Sequence, residues 1–178
     1  MATAARRFAE RGYHPTSVAD LVADLGVGKG VFYWYFSSKE ELLAELLRAG
    51  HQDLRRRQQH AIGDETAPMR RIELGIRASL EWFGEHRDTF TLFQFARSDE
   101  RFAGVLRRAQ EVAIDDVVRH LKDAIVEGEI PDRDPEALAQ AILGVVDRLT
   151  LTYVFERAEP VDRVADATVA FCLGGLRA

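Results

Sequence analysis

Residues 16–39, TSVADLVADLGVGKGVFYWYFSSK, decide the fold. Thr16 or Ser17 is placed to cap a helix, and Asp20 stands three residues after Ser17, a relative of the capping box with Asp for Glu. Val18, Leu21, Val22 and Leu25 then form one short apolar face that stops at Gly26. A second short helix follows from about Gly28 to Phe36, and Ser37 or Ser38 caps the next one. Two short helices joined by a tight corner make a helix-turn-helix, and Gly26 supplies the free backbone that such a corner needs. Leu21, Leu25, Val27, Phe32 and Phe36 are predicted to wedge the pair together. Gly28, Lys29, Gly30, Val31, Tyr33 and Trp34 are left facing outward.

That outward set suits a DNA duplex. Lys29 offers a donor to guanine or phosphate, Val31 an apolar contact to a thymine methyl, and the Tyr33 hydroxyl a phosphate bond. Gly28 and Gly30 carry no side chain, so the backbone can approach closely. Thr16, Ser17 and Lys39 flank the surface as further phosphate partners. Phe32, Tyr35 and Phe36 are read as core.

Outward from this stretch the helical period continues in both directions. Ala4, Ala5, Phe8 and Ala9 mark a helix from Ala2 to Arg11 ended by Gly12. A long helix is expected from Lys39 to around Ala61 on a stripe of Leu42, Leu43, Leu46 and Leu47. Further helices are expected over 68–85, 88–96 and 99–127. Asp134-Pro135-Glu136 is a strong helix start, with Asp as cap and Pro in the first turn, for a helix reaching about 157. A last one runs from Pro160 to near Leu176. No strand pattern survives, so the class is all-α: a three-helix head over residues 1–45 and a helical body over 46–178.

Composition limits what such a chain does. It has 178 residues, 47% hydrophobic and 30% charged, which is globular usage. One cysteine, Cys172, excludes a disulfide framework or a thiolate metal cluster and is read as a buried, inert thiol. No apolar run is read as long enough to span a bilayer and no secretory signal is seen, so a cytoplasmic location without membrane partners is expected. The net charge of −5 hides an asymmetry. Residues 1–60 hold nine Lys/Arg against seven Asp/Glu, and residues 61–178 hold fifteen against twenty-two. A mildly basic head on an acidic body fits a DNA reader.

The run from Phe8 to Tyr13 (FAERGY), with TSVADL at 16–21, GVGKGVFYWYF at 26–36 and Ser38-Lys39-Glu40, resembles the tetracycline-repressor (TetR) family of bacterial transcription regulators. The resemblance is dense over roughly the first fifty residues. It implies a homodimer with a DNA-binding head and an effector-binding body, in which an entering ligand moves the two heads apart and releases the operator. The chain departs from the family pattern at Gly28, where Ser is common, at Val22, where Ala is common, and in a start that falls within the first helix.

The body supplies the other candidates. Trp82, Phe83, Phe90, Phe93, Phe102 and Tyr153, with His86 and His120 as polar anchors, are candidate lining for a small-molecule effector site between helices. The competing expectation is that these aromatics are core. The last two helices carry wide apolar faces, one of Leu138, Ala141, Ile142, Val145, Val146, Leu149 and Thr152, the other of Val164, Ala167, Thr168, Phe171 and Cys172. These faces, with Gly144, Gly174 and Gly175, are expected to build a two-fold dimer, and a two-fold dimer implies a palindromic operator. Arg55-Arg56-Arg57 reads as a solvated face, and Asp116 with His120 as a surface pair. No phosphate loop, GxSxG, HExxH or di-metal signature is present, so no catalytic residue, metal or cofactor is expected. The reading is a ligand-responsive repressor acting on double-stranded operator DNA. The alternative is a helical dimeric interaction module that has lost operator binding.

Overall fold

The computed structural model describes Met1–Ala178, whose regular elements are all helices, without strands. The elements are α1 (Ala2–Arg11), α2 (Val18–Leu25), α3 (Lys29–Tyr35), α4 (Lys39–Ile62), α5 (Pro68–Glu85), α6 (Arg87–Arg97), α7 (Glu100–Val126), α8 (Pro135–Leu149), a π-helix (Thr150–Glu156) and α9 (Val161–Arg177). They form two compact units, residues 1–52 with 86–109, and residues 53–85 with 110–178. Segment 86–109, which a boundary at residue 45 leaves with the body, therefore shares a unit with α1–α3.

In the first unit α1 packs along α6 and against α2, and α2 packs against α3. Phe8, Leu21, Leu43, Leu47 and Phe90 are almost completely buried there. Each such side chain contributes about 1.5–3 kcal/mol of apolar burial. Gly12, at φ 86°, ends α1 and turns the chain toward α2.

In the second unit α5 lies along α9, and α8 and the π-helix pack on both. The start of α8 is the one its sequence announces, since the Asp134 side chain accepts from the Glu136 N–H at 3.0 Å with Pro135 at the first position. Its end differs from expectation. The helix does not continue as α to 157 but widens at Thr150, whose hydroxyl donates to the Val146 carbonyl at 2.7 Å. Side-chain competition for backbone carbonyls of this kind distorts helices. Ala158, at φ 54°, closes the segment.

The span Pro135–Glu156 is, by length and composition alone, apolar enough to cross a membrane, which corrects the expectation that no run approaches that length. Much of its surface is exposed in the chain. The apolar faces read on α8 and α9 each divide in two. Ile142, Val146, Val164, Thr168 and Cys172 point into the unit, whereas Ala141, Gly144, Ala167, Phe171 and Gly174 point out. Burial pushes the Cys172 thiol up to about 11, which suits the inert role expected of it.

Candidate nucleic-acid interface

Residues 16–39 form the two-helix corner they predict. Ser17 accepts from the Asp20 N–H at 3.1 Å, and Asp20 accepts from the Ser17 N–H at 2.8 Å, completing the capping box with Asp in the place of Glu. Hydrogen bonds from Ser17 hold the Asp20 carboxyl below its ordinary range. Gly26 takes the left-handed conformation, φ 66°, and the Val27 N–H closes on the Val22 carbonyl at 3.0 Å. Beyond α3, the Ser37 N–H donates to Glu41 at 2.6 Å and the Glu41 N–H to Ser38 at 3.1 Å, starting α4.

Helix α3 has seven residues and buries one of them, Phe32. Val31, Tyr33 and Trp34 face outward as expected, Trp34 with 85% of its surface exposed. Lys29 is exposed as well. A methyl group built at Gly28 or Gly30 meets nothing within 4 Å, so the chain itself has no steric need of either glycine.

Five residues differ from what the sequence predicts. Leu25 and Val27, expected in the wedge, are 48% and 38% exposed. Tyr35, expected in the core, is 70% exposed, because Phe36 rather than Tyr35 continues the buried side of Phe32, at 5.8 Å between ring centres. Thr16 is not available to phosphate, being 3% exposed with its hydroxyl on the Gly12 carbonyl at 2.7 Å. Lys39 is also occupied. Its ammonium donates to the carbonyls of Tyr13 at 2.8 Å, Thr16 at 2.7 Å and His14 at 3.4 Å, and lies 4.3 Å from the Tyr13 ring centre. It fastens the α1–α2 turn to the start of α4. No local pattern reveals that role, since the carbonyls lie more than twenty residues away in sequence.

The candidate effector residues fall in both units. In the first, Phe90, Phe93 and Phe102 are buried, and His86 precedes α6. Phe93 stacks flat on His51, 4.0 Å between centres and 9° between planes. No local pattern in the sequence singles out His51, whose Nε2 is buried without a partner; burial, then Arg97, lowers its pKa to about 4. In the second unit Trp82 and Phe83 are core, the Trp82 indole donating to Asp53 at 2.7 Å. Tyr153 is half-buried in the π-helix, with the Arg157 guanidinium 4.6 Å from its ring. His120 does not pair with Asp116, which is bound by Arg55 and Arg119 instead. The His120 Nδ1 and the Thr152 Oγ1 are buried without hydrogen-bond partners, and burial, then Arg71, lowers the His120 pKa.

Comparison with known proteins gives concordant matches. Residues 1–46 match the model of a family described as bacterial regulatory proteins, tetR family. An uncharacterized HTH-type transcriptional regulator of Bacillus subtilis, YhgD, is 27% identical over 160 residues, covering 88% of this chain and 82% of that one. The HTH-type transcriptional repressor KstR2 of Mycobacterium tuberculosis is 34% identical over 91 residues, 51% of this chain and 46% of its own. Among solved structures, the transcriptional regulator FadR of Bacillus subtilis in complex with stearoyl-CoA superposes with a TM-score of 0.89 at 21% identity, covering 98% and 96% of the two chains, a likeness of fold.

Proposed function

We propose that this chain, which belongs to the TetR family of transcriptional regulators, represses transcription in the cytoplasm as a homodimer on a palindromic operator and leaves it when a small molecule enters its body. It is a regulator and not an enzyme. One observation carries the operator reading: Lys29, Val31, Tyr33 and Trp34 project together from a helix that buries only Phe32. A cation, an aliphatic group and aromatic hydroxyl and indole donors on one short helix are chemically complementary to base edges and phosphates. Tyr35, exposed beside them, joins the proposed contact set, with Ser17, Gly28 and Gly30 at its border. Thr16 and Lys39 position this surface and are not proposed to touch phosphate.

Dimerisation is proposed through the outward stripes of α8 and α9. Phe171 is 68% exposed among Ala167, Gly174, Ala141 and Gly144, small residues that let facing helices approach closely. A second copy covers the apolar surface that Pro135–Glu156 leaves open. Phe171→Arg is expected to shift the protein toward monomer in analytical ultracentrifugation.

For the effector we propose a long-chain acyl thioester, the chemical class present in the stearoyl-CoA complex of FadR. The orphaned His120 Nδ1 and Thr152 Oγ1 support a polar ligand group in the second unit. The test is fluorescence anisotropy with DNA from upstream of the protein's own gene against a scrambled duplex, at about 150 mM salt, where long-range attraction is screened. Preference for the native sequence is expected, with a steep loss of affinity as salt rises. Adding stearoyl-CoA is expected to release the duplex; retention of bound DNA removes the acyl thioester from the reading. Equal binding to both duplexes favours the interaction-module alternative.

A further inference from the structure

The first unit joins two stretches far apart in sequence, and their polar junction is centred on Tyr13. This residue lies in the turn between α1 and α2 and is 3% exposed. Its ring centre is 5.4 Å from that of Phe8, 5.3 Å from Phe95 and 5.4 Å from Phe102. Two cations lie against it. One is the Lys39 ammonium, which also holds the turn's carbonyls; the other is the Arg101 guanidinium at 5.3 Å.

Arg101 is fixed in turn. It donates to both oxygens of Asp99, at 3.0 and 2.7 Å, and reaches Glu40 at 3.4 Å. Asp99 also accepts from the Arg101 backbone N–H at 3.1 Å, so the corner between α6 and α7 is capped by the same carboxylate. The Asp99 carboxyl is held down at about 2, first by the Arg101 side chain. His14, the next residue of the turn, approaches Asp99 at 3.8 Å. A bidentate guanidinium on an aromatic face has a defined orientation that a lone surface pair lacks.

Two residues after His14 comes Thr16, and then the cap of α2. The corner at 98–101 therefore holds the point from which the helix-turn-helix begins. We propose that Arg101 and Asp99 are positioning residues for operator recognition, their ion pair on Tyr13 setting the geometry of the turn that launches α2 and α3. The proposal rests on the operator reading above, and assigns a DNA-directed role to two residues that lie outside the helix-turn-helix.

The test uses the full chain with Arg101→Ala, Asp99→Asn and Arg101→Lys. The DNA probe is a duplex that the unaltered protein selects from a randomised pool, beside a non-selected duplex of equal length. Arg101→Ala and Asp99→Asn are expected to weaken binding to the selected duplex about tenfold, the scale of coupling through packed and hydrogen-bonded networks. Affinity for the non-selected duplex and the melting temperature should stay close to those of the parent. Arg101→Lys should recover part of the loss, because an ammonium still pairs with Asp99.

Amide hydrogen exchange without DNA provides the second readout. Faster exchange over residues 13–20 in Arg101→Ala and Asp99→Asn, with the other amides unchanged, is expected. If the protein selects no duplex, the operator reading fails while the exchange experiment still judges the junction. Selected-duplex affinity within twofold of the parent, equal loss on both duplexes, a loss that tracks melting, or unchanged exchange over 13–20 overturns the proposal.

Discussion

Helices α3 and α4 use glycine in opposite ways. At Gly30, the second residue of α3, a methyl group would meet open space. At Gly50, on α4, the same methyl would stand 2.6 Å from the Thr89 Cγ2 and 3.1 Å from the Phe93 Cζ. The residue beside Gly50, His51, is stacked flat on Phe93. One glycine answers to packing inside the chain, whereas nothing inside the chain explains the other. The proposed operator contact supplies a reason for that glycine which the chain itself does not.

The crowded side is broken most strongly through His51. Its folded pKa of about 4 lies below the ordinary 6.5, because burial disfavours the charged imidazole. The stabilisation is complete above 6.5, where both states are neutral, and is lost as pH falls toward 4, because only the unfolded chain then takes up the proton. The loss amounts to about 3 kcal/mol at the acid end. Urea unfolding at pH 7 and about pH 4.5 should show a smaller difference in His51→Phe than in the parent. Parallel pH dependence in the two proteins would rule out a neutral, buried His51.

Gly50→Ala comes next. The added methyl must displace Thr89 or Phe93, at a cost of about 1–3 kcal/mol. Thr89→Ser removes the nearest methyl, so the double variant should recover part of the loss in thermal unfolding. Additive destabilisation would show that α4 and α6 do not meet closely at this point.

The difference between the two helices also marks what the sequence discloses. Caps, stops and periods are local, and Ser17, Asp20, Gly26, Asp134 and Pro135 act where their neighbours in the chain imply. The boundaries of α1 and α2 and the start of α8 follow from such signals. What resisted reading was decided across long separations. Lys39 and Thr16 have the residue types of phosphate contacts, yet carbonyls and a tyrosine ring already engage Lys39, and Thr16 is buried on Gly12. Tyr35 has the type of a core residue, but a seven-residue helix had room to bury only Phe32, with Phe36 continuing that face. The π-helix at Thr150–Glu156 depends on a hydroxyl's choice of carbonyl, which helical periodicity does not report.

A variant at the border of the two classes has a smaller effect. Ser17→Ala removes the side-chain acceptor of the α2 capping box and should cost about 1 kcal/mol of stability. Ser17→Asp preserves an acceptor, so its melting temperature should remain close to that of the parent. Both variants lose a hydroxyl that the operator reading sets at the edge of the DNA surface. If Ser17 touches phosphate, Ser17→Asp lowers duplex affinity while keeping the fold; if it only caps, affinity follows stability.

Gly30→Ala has the smallest expected effect on stability and separates folding from function most cleanly. Glycine loses more backbone freedom on folding than alanine, a difference of about 0.5–1 kcal/mol in a helix interior and less in a first turn, where Gly30 stands. With open space around the new methyl, the substitution should raise the melting temperature slightly. A duplex seated against α3 would meet that methyl, so the same variant should bind the selected DNA more weakly than the parent. Stabilisation with undiminished DNA affinity would leave Gly30 unexplained and turn attention to Trp34 and Tyr35 as the surface that meets the groove. Stabilisation with weakened affinity would place the duplex at Gly30, with the glycine kept there at the expense of the helix that carries it.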